Sequence, residues 1–385
     1  MRILHVLSSS GFYGAESMAA ELIRQLNRRG LVCHVGVFDN AGRGDRQAIG
    51  ATQTPADRSL IIECRSQFDG RAVQALADYT REHRIDIVHS HKEKTTFHAL
   101  FARRRAPFGL LTTHHNWLTD DWKQRLYGMI DKRVSAFCDA RVGVSQPVVA
   151  ELHRHGRRQT VHYIPNGVDP GHFARRNERA RARTALGLGD LPVLGFVGRI
   201  SAMKGLHTLF DAVAQIGFPV QLLLAGDGDE RAALERKAQS LEMADRVKFL
   251  GRCADPRVAY EAMDLCVLPS FEEAFPMVLL EAMACGVPVL ATRVGDVPVI
   301  VEEDVTGWIV PPADVGALRD SIQRLARDEV RLRQAGSLAS ERVSSTFSSA
   351  LMAERYASVY ERVLETRAQK APAPGRQALR GSGQD

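Results

Sequence analysis

Short apolar runs alternate with amphipathic helical segments along almost the whole chain, and this alternation constrains the fold more than any other feature. A strand that is followed by a helix and then by another buried strand is typical of βαβ units, whose strands form parallel sheets. The 385 residues are enough for two domains that each bury a core of their own. The pattern therefore predicts an α/β protein with two Rossmann-like parallel sheets.

The predicted strands are distributed over both halves of the chain. They span residues 3–7, 31–37, 60–64, 85–89, 109–113, 140–144 and 161–164 in the first half, and 193–197, 221–225, 247–250, 265–268 and 287–291 in the second. A further strand is predicted around Trp308, and residues 314–346 read as helices. Residues 171–186 are predicted to form an arginine-rich helix with a solvated basic face.

Composition excludes several classes of protein. With 45% hydrophobic and 25% charged residues the chain is typical of a globular protein, and it has no apolar run long enough to span a membrane. The first seven residues are too short and polar for a signal peptide. Six cysteines are scattered without a C-x-x-C pair, which predicts buried thiols of a cytoplasmic protein rather than disulfides or a zinc site.

The positive charge lies in the first half of the chain. Residues 1–170 have 24 Lys and Arg against 17 Asp and Glu, whereas residues 171–385 have 27 against 28. Basic clusters occur at Arg103, Arg104 and Arg105, and between Arg154 and Arg158. This asymmetry suits an anionic partner, such as a lipid-phosphate acceptor, an anionic membrane face or nucleic acid. Solvated helix faces would account for it equally well.

Two carboxylates flank a predicted helix start in residues 270–292. Glu273 lies in the loop after the strand at 265–268, and Glu281 lies inside the helix that Pro276 begins and Gly286 ends. A helix N-terminus presents free N–H groups and a positive dipole end, which together favour phosphate. An acid beside such a site can hold sugar hydroxyls, although a strand–loop–helix unit with solvated acids is the simpler alternative.

A second loop offers cations for a diphosphate. Arg199 and Lys204 lie between Gly198 and Gly205, directly after the strand at 193–197. Arginine can bind phosphate with a planar fork and lysine as a point charge, although the glycine spacing of a Walker A motif is missing.

Two aspartates in the next loop raise the question of a metal ion. Asp227 and Asp229 could hold a divalent cation. We instead interpret them as an ordinary turn, with Asp229 as the N-cap of the following helix.

Histidines gather where predicted strands of the first half end. His89 and His91 follow one strand, and His114 and His115 follow another. Ligands of open parallel sheets bind beyond the carboxyl ends of the strands, so these positions indicate a cleft. Lys92, Lys94 and Lys123 are nearby cations that could meet an acceptor phosphate. The first loop, with Gly11 and Gly14, can expose backbone N–H groups at a helix start, although G-x-G-x-x-G is absent.

These motifs together resemble the retaining glycosyltransferases of family 4, which have the GT-B fold of two Rossmann-like domains facing a cleft. Glu273 and Glu281 match the family's E-x7-E region, and Arg199 and Lys204 match its Gly-Arg…Lys-Gly loop. Weaker matches are the Thr-x-His motif at residues 113–115, the Gly-Gly-Ala-Glu loop at Gly11, Gly14 and Glu16, and the Pro-Asn-Gly-Val-Asp connection at 165–169. Ala274 replaces the usual glycine after the first glutamate. The resemblance covers roughly residues 1–366.

The resemblance implies a role for each matching residue. Glu273 would lie at the donor sugar, Glu281 would hold the ribose, and Arg199 and Lys204 would neutralise the leaving nucleoside diphosphate. The catalytic set that it implies is Glu273, His115, Arg199 and Lys204. Donor-binding residues would be Gly14, Arg199, Lys204, Glu273, Phe275, Met277, Val278 and Glu281, and His91, His114 and Lys92 would contact the acceptor or sugar. The resemblance implies that no metal is needed, and no cofactor is expected because the nucleotide sugar is a substrate.

The resemblance also implies a domain plan. Residues 1–170 would form the acceptor domain and 171–346 the donor domain, while 347–366 would form a helix that crosses back to the first domain. Residues 367–385, rich in Pro, Gly and Ser, are predicted to be disordered. The lack of a signal peptide and of a membrane span predicts a cytoplasmic enzyme, and the basic first half is compatible with peripheral contact at the inner membrane face.

The activity that follows is retaining transfer of a sugar from a nucleotide-diphosphate sugar to an acceptor hydroxyl in cell-surface glycan or glycolipid synthesis. The partners would be the donor and a glycan or lipid-linked acceptor, and no nucleic acid is expected. A nucleotide-sugar 2-epimerase of GT-B fold and a non-catalytic sugar-nucleotide-binding protein are the alternatives.

Overall fold

The computed structural model contains two parallel sheets in one chain. It describes residues 1–8, 14–39, 46–115, 122–156, 160–176, 178–253 and 255–370, without the side chains of residues 46–48 and 122–127. Gly11, Lys123, Arg157 and Arg158, which the sequence analysis singled out, therefore lie outside the described residues or side chains.

The first sheet has seven parallel strands in the order β3-β2-β1-β4-β5-β6-β7. They are β1 (Arg2–Leu7), β2 (Val32–Asp39), β3 (Ser59–Glu63), β4 (Ile87–Ser90), β5 (Gly109–His114), β6 (Ala140–Gly143) and β7 (Val161–Tyr163). The helices between them are α1 (Gly14–Arg28), α2 (Arg46–Thr52), α3 (Gly70–Glu82), α4 (Glu93–Ala102), α5 (Trp122–Val134) and α6 (Gln146–Arg154).

The second sheet has six parallel strands in the order β10-β9-β8-β11-β12-β13. They are β8 (Val193–Val197), β9 (Gln221–Ala225), β10 (Val247–Gly251), β11 (Leu265–Leu268), β12 (Val289–Thr292) and β13 (Gly307–Val310). Around them lie α7 (Arg179–Ala185), α8 (Leu206–Ala214), α9 (Arg231–Ser240), α10 (Arg257–Ala262), α11 (Met277–Ala284), α12 (Val297–Ile300), α13 (Val315–Leu325), α14 (Glu329–Thr346) and α15 (Ser349–Lys370).

Both sheets reverse their strand order at one point, and these points locate the ligand sites expected of such sheets. The reversal lies between β1 and β4 in the first sheet and between β8 and β11 in the second. In open parallel sheets the crevice for a ligand forms at the carboxyl ends of the strands that flank this reversal. The loops after β4, β8 and β11 contain His91, Arg199 and Glu273.

The final helix covers the first sheet rather than the second. Met352, Tyr356, Tyr360 and Val363 of α15 are buried with Ile3, Leu7, Ile87 and Leu111, which lie on one face of β1, β4 and β5, and with apolar residues of α1. The other face of these strands packs against α3 and α4. Helix α15, which begins at Ser349, therefore packs on the sheet formed by the first half of the chain.

Two predicted helices have different bounds in the structure. The helix predicted over 171–186 is only α7, and its basic face is not wholly solvated, because Arg183 is buried and donates to Asp264 Oδ2 at 2.5 Å. Arg179 also pairs with Asp264. The crossing helix continues to Lys370, so residues 367–370, predicted to be disordered, are helical. Arg367 lies 3.4 Å from Asp139, which extends the attachment of α15 to the first sheet.

Candidate active site

Lys204 and Glu273 are in direct contact at the switch point of the second sheet. Lys204 Nζ donates to Glu273 Oε1 at 2.5 Å, and Ser270 Oγ donates to the same oxygen at 2.8 Å. The Glu273 side chain is 11% exposed and that of Lys204 is 24% exposed. A lysine and a carboxylate from separate loops are therefore held in contact at one partly buried point.

Two glycines allow these loops to approach so closely. Gly205 has a φ of +63° and ends the short 3₁₀ turn at 202–204, and a Cβ at this position would collide with the carbonyl oxygen of Pro269. A Cβ at Gly295 would collide with the carbonyl oxygen of Glu273. Only glycine fits at such contacts without displacing the backbone. The loops that contain Gly205 and Gly295 therefore both pack directly against residues 269–273.

Arg199 lies in the same loop as Lys204 but is largely exposed. Its guanidinium is 3.6 Å from Asp229 Oδ1, and both side chains are 64% exposed. The prediction that Asp229 caps the following helix is wrong: α9 begins at Arg231, its N-cap is Glu230, and no side chain caps it. The other aspartate of the pair, Asp227, accepts a hydrogen bond from the N–H of Gly228.

Glu281 has a tyrosine partner that the sequence analysis did not identify. Tyr260 OH donates to Glu281 Oε2 at 2.9 Å. Burial raises the pKa of the Glu281 carboxyl, while the hydrogen bond from Tyr260 opposes that shift. Tyr260 is buried 21 residues upstream in α10, and no local pattern links it to the E-x7-E region. The pair gives a partly buried carboxylate on α11 a fixed orientation.

The helix that follows Glu273 begins one residue later than predicted. Pro276 is the N-cap of α11 rather than its first residue, and the helix begins at Met277. Met277 and Val278 are partly buried in its first turn, whereas Phe275 is buried and its ring centroid lies 5.9 Å from that of Phe347.

In the first domain, Lys92 pairs with a buried acid. Lys92 Nζ lies 3.0 Å from Glu16 Oε1, and the Glu16 side chain is 4% exposed. Gly14 is the first residue of α1, two residues before Glu16. Lys92, predicted as an acceptor contact, therefore has an acid partner in the structure.

The two histidines at the end of β5 differ in their surroundings. His114 Nδ1 lies 3.0 Å from Asp131 Oδ2, and both side chains are buried. Burial lowers the pKa of His115 to about 4, with Glu16 opposing the shift and Lys92 adding to it. Among the described residues, His115 Nε2 is a buried atom without a hydrogen-bond partner. His115 is thus a neutral imidazole with one nitrogen available.

His5, His89 and His91 form a buried cluster beside His115. Their ligand atoms lie within 4.8 Å of one another, and His5 Nδ1 is 3.1 Å from His91 Nε2. His91 stacks on His115 with a centroid distance of 6.5 Å. Burial lowers the pKa of His5 to about 3 and puts the pKa values of His89 and His91 well below 6.5.

The cluster is joined to α15 by hydroxyl groups. His89 Nδ1 is 2.7 Å from Tyr360 OH, and His89 Nε2 is 2.8 Å from Thr113 Oγ1, which is 2.9 Å from Tyr356 OH. Three imidazoles can serve as metal ligands, but both nitrogens of His89 are already engaged. We therefore interpret the cluster as a hydrogen-bonded network that fixes the strand ends under α15.

The carboxyl edges of the two sheets meet at Asp296. This buried residue follows β12, and its carboxylate accepts from Gln146 N at 3.0 Å and from Tyr163 OH at 2.9 Å. Gln146 follows β6 and Tyr163 ends β7, so the contact joins strand ends of both sheets. The N–H of Asp296 also donates to the carbonyl of Ala274 at 3.0 Å, one residue from Glu273. Burial raises the pKa of the Asp296 carboxyl, and the bonds from Tyr163 and Gln146 oppose this.

Within the described part of the chain, every helix is too short or too polar to cross a lipid bilayer.

Two family models match the chain in succession. The one described as Glycosyltransferase Family 4 matches residues 12–172, and the one described as Glycosyl transferases group 1 matches residues 178–342.

Curated relatives include enzymes of several names. A D-inositol 3-phosphate glycosyltransferase of Actinosynnema mirum is 32% identical over 289 residues, which are 67% of this chain and 68% of that protein. An N-acetyl-alpha-D-glucosaminyl L-malate synthase of Bacillus anthracis is 30% identical over 230 residues, or 59% of this chain and 60% of that protein. The chain also spans less than two thirds of the length of other curated relatives, for example 45% and 63% of two further D-inositol 3-phosphate glycosyltransferases.

Solved structures share the whole architecture. Anabaena HepE in complex with UDP and glucose has a TM-score of 0.82 at 24% identity, with 94% of this chain and 99% of that chain covered. Sucrose-phosphate synthase from Thermosynechococcus elongatus has a TM-score of 0.79 at 26% identity, with 95% and 99% covered. With two parallel sheets, an E-x7-E region beside a lysine-bearing loop and matches along both halves, this chain belongs to the family 4 glycosyltransferases and has the GT-B fold.

Proposed function

We propose that this glycosyltransferase moves a sugar from a nucleoside-diphosphate sugar to an acceptor hydroxyl with retention of anomeric configuration and without a metal cofactor. The observation that carries the proposal is the contact between Lys204 and Glu273 at the switch point of the second sheet. This contact supports the proposal because a cation suited to a diphosphate and a carboxylate suited to sugar hydroxyls lie side by side, as transfer from a nucleoside-diphosphate sugar would require.

The donor diphosphate would be neutralised by Arg199 and Lys204. Deprotonated phosphate binds well to a planar guanidinium and to an ammonium group. The free N–H groups at the start of α11 add donors for the same charge. Phe275, Met277 and Val278 surround this helix start, and Glu281, oriented by Tyr260, would accept from the ribose hydroxyls.

The transfer step would then depend on electrostatics. The bond between the anomeric carbon and the β-phosphate oxygen breaks, and the acceptor oxygen bonds to the same face of that carbon. The β-phosphate takes the acceptor proton as it leaves. Lys204 and Arg199 would stabilise the charge that develops on the phosphate, and a preorganised charge contact of this kind is worth about 2–4 kcal/mol.

Residues of the first domain would hold the sugar and the acceptor. His115 is neutral and has a buried nitrogen without a partner among the described residues, which suits a hydrogen bond to a sugar hydroxyl. His91 and His114 support it by stacking and by proximity, while Gly14 and Lys92 lie beside Glu16 at the start of α1. These positions support their assignment as donor or acceptor contacts.

The surroundings of the two aspartates support metal independence. Asp229 faces Arg199, and Asp227 accepts from a backbone N–H and lies 3.9 Å from Arg231. Two carboxylates that each face a guanidinium are poor ligands for a divalent cation, because the arginines already supply the positive charge. We therefore expect EDTA to leave turnover within about twofold, a change of roughly 0.4 kcal/mol.

The acceptor that we propose is an anionic, lipid-linked glycan of cell-surface synthesis. The basic first half of the chain supports the negative charge. Relatives named for D-inositol 3-phosphate and L-malate indicate that small anionic acceptors also belong in the test panel.

The test is release of nucleoside diphosphate from UDP-, GDP- and ADP-sugars, with and without acceptors, followed by NMR of the product. UDP-sugars come first, because HepE was solved with UDP. An anomeric signal that matches the donor configuration would support retention, and an inverted signal would overturn it. Conversion of the donor to its 2-epimer without an acceptor would support the epimerase alternative instead.

A further inference from the structure

A cluster of exposed aromatic side chains lies on the first domain, outside the site described above. Phe68 is 61% exposed and Phe137 is 74% exposed, and Phe101, Met129 and Ile130 are also exposed. The rings of Phe68 and Phe97 lie 4.5 Å apart and those of Phe97 and Phe101 4.7 Å apart, so the aromatic surface is continuous. Single exposed apolar residues are ordinary, whereas a contiguous patch marks an interaction surface.

The patch contains a groove at its centre. The groove has a volume of about 370 Å³ and is lined by Phe97, Leu100, Phe101, Arg104, Val134 and Phe137. Arg104 is the only charged residue among these, and its guanidinium lies 5.2 Å from the centroid of Phe101. We name the groove together with Phe68 the aromatic groove. It lies between α4 and the end of α5.

Exposed arginines lie at the C-terminal ends of the two helices, α4 and α5, that flank the aromatic groove. Arg104 and Arg105 follow α4, and Arg133 precedes Val134 in the last turn of α5, and all three are exposed. None of them forms an ion pair with a described residue, whereas Arg103 is neutralised by Asp139 at 2.9 Å. At this end of the groove the surface therefore offers positive charge close to apolar rings, whereas Glu93, Lys94 and Asp131 lie at the other end, beside Phe68.

We propose that the aromatic groove and these arginines dock the enzyme on an anionic lipid bilayer. Aromatic rings favour the boundary between headgroups and acyl chains, and basic residues beside them are attracted by anionic headgroups. A second copy of this chain would place arginines against arginines, which disfavours a dimer through this face. The charge complementarity therefore selects an anionic surface as the occupant.

The position of the groove connects this surface with the proposed reaction. Helix α4 starts directly after His91 and Lys92 and runs to the arginines, a length of roughly 15 Å at 1.5 Å per residue. An enzyme docked here would hold its cleft close to the headgroup level. The docking surface itself does not depend on the proposed transfer, although the lipid-linked acceptor proposed above does require such a surface.

The experiment is sedimentation of the purified full chain with vesicles of phosphatidylcholine alone or with 30 mol% phosphatidylglycerol. We expect binding to the anionic vesicles only, and a decrease with added salt. Phe68→Ala with Phe137→Ala, and separately Arg104→Glu with Arg105→Glu, should each lower the bound fraction at least about fivefold. These side chains are exposed, so folding should persist, and circular dichroism checks this.

Matched controls separate a defined surface from general attraction. Val330→Ala with Leu338→Ala removes two exposed apolar side chains from α14, and Arg236→Glu with Arg324→Glu reverses two exposed charges of the second domain. Both should bind vesicles like the unaltered chain. Equal losses in controls and groove variants would overturn the proposal.

Two further outcomes would also overturn it: absence of binding to anionic vesicles, or a dimer in analytical ultracentrifugation that the phenylalanine variant dissociates. The readout needs no turnover. Failure of docking with normal diphosphate release counts against the surface alone, and failure of release with normal docking counts against the proposed transfer alone.

Discussion

Lys204 is the residue whose removal should cost the most activity without affecting the fold. Among the described residues, Lys204 is the lysine whose ammonium group contacts Glu273. The proposed mechanism uses this group to stabilise phosphate charge. Lys204→Ala should therefore lower kcat/KM by about 30- to 1,000-fold, which corresponds to about 2–4 kcal/mol. Steady-state assays of diphosphate release measure this.

Lys237→Ala is the matched control for that prediction. Lys237 Nζ lies 2.6 Å from Asp211, and its side chain is 21% exposed, close to the value for Lys204. It lies in α9, away from the switch point. If both variants lose activity equally, the loss reflects a broken ion pair rather than a lost contact with the diphosphate.

Tyr260→Phe should weaken donor binding through Glu281. The hydrogen bond from Tyr260 lowers the pKa of Glu281, so its loss should raise that pKa further. A larger fraction of the carboxyl is then protonated at a given pH. As the pH decreases, donor affinity should therefore begin to fall at a higher pH than in the unaltered chain. Hydrogen bonds to charged groups are worth about 1.5–3 kcal/mol, so we expect the substitution to lower donor affinity by about ten- to a hundredfold at most.

Calorimetric titration of UDP or the preferred nucleotide between pH 5 and 8 tests this effect. Tyr79→Phe, which removes a hydroxyl bonded to His34 in the first domain, is the control. An affinity of Tyr260→Phe that follows the same pH profile as the control would show that Tyr260 does not tune Glu281.

The buried histidines predict loss of stability in mild acid. The pKa values of His5 and His115 are lowered to about 3 and about 4, and His89 and His91 are lowered too, so the unfolded chain binds more protons below pH 6.5. The stability that the neutral histidines contribute is therefore fully present above about pH 6.5 and is lost as the pH decreases towards 4. The charged groups nearby are Glu16 and Lys92, and Tyr356 and Tyr360 face the cluster from α15.

Urea unfolding at several pH values measures that slope. His5→Gln removes one of the titrating groups, so the free energy of unfolding should depend less steeply on pH between 6.5 and 5. The exposed His172→Gln provides a control for the substitution. A slope in His5→Gln equal to that of the unaltered chain would contradict the role of His5.

At the scale of elements, α15 should be indispensable for the first domain. Met352, Tyr356, Tyr360 and Val363 are all buried against it, and each large side chain contributes about 1.5–3 kcal/mol. Their sum is comparable to the total stability of a domain, about 5–15 kcal/mol. A chain ending before Phe347 should therefore lose the melting transition of the first domain, whereas a chain ending at Lys370 should keep it.

Differential scanning calorimetry compares these two truncations. A third chain that ends at residue 366 lacks Arg367 and its ion pair with Asp139, and should melt only slightly lower than the chain that ends at Lys370. Equal melting behaviour of the longest and the shortest chain would contradict the attachment of α15 to the first sheet.

Periodicity predicted the strands well, because buried parallel strands are short apolar runs bounded by turn residues. Three strands of the second sheet, β8, β9 and β11, have the predicted bounds, and most others differ by one or two residues. The helix predicted over 171–186 is too long, because a run of arginines favours a helix in any sequence pattern. The same run gives no indication that Arg183 is buried and pairs with Asp264. The motifs assigned Lys204 and Glu273 to one donor site, and the two lie in contact because each belongs to a loop that follows a strand at the switch point.

Contacts between distant segments could not be predicted in the same way. His89 and Tyr360 are 271 residues apart, and Glu281 and Tyr260 lie in different helices. Neither pair leaves a local pattern in one sequence. The Asp229 cap was wrong because the helix begins at Arg231, so Glu230 rather than Asp229 occupies the N-cap position, and the Asp229 carboxylate faces Arg199 instead.

At the scale of the whole molecule, Asp296 connects the two sheets beside the candidate site. It accepts from Gln146 and Tyr163 of the first domain, and its own N–H donates next to Glu273. Asp296→Ala should therefore reduce kcat/KM about tenfold or more, through the loss of two hydrogen bonds worth about 0.5–1.5 kcal/mol each. Donor affinity should change less, because Arg199, Lys204 and Glu281 all lie in the second domain.

Activity and donor titration together test this prediction, and small-angle scattering reports the spacing of the domains. Asp296→Asn keeps an acceptor oxygen and should retain more activity than Asp296→Ala. If Asp296→Ala and Asp296→Asn each lower donor affinity as much as they lower turnover, Asp296 supports only the second domain.

The return of the last helix to the first sheet has a consequence for synthesis. Ribosomes add roughly 5–20 residues per second, so the 185 residues between Tyr163 and Ser349 take roughly 10–40 s to translate. During this time the nascent first sheet is complete in strands but lacks the helix that closes one face, and His89 and Thr113 lack their tyrosine partners. A ribosome that stalls within the second domain therefore holds a chain in which every strand of the first sheet has been made but α15 has not.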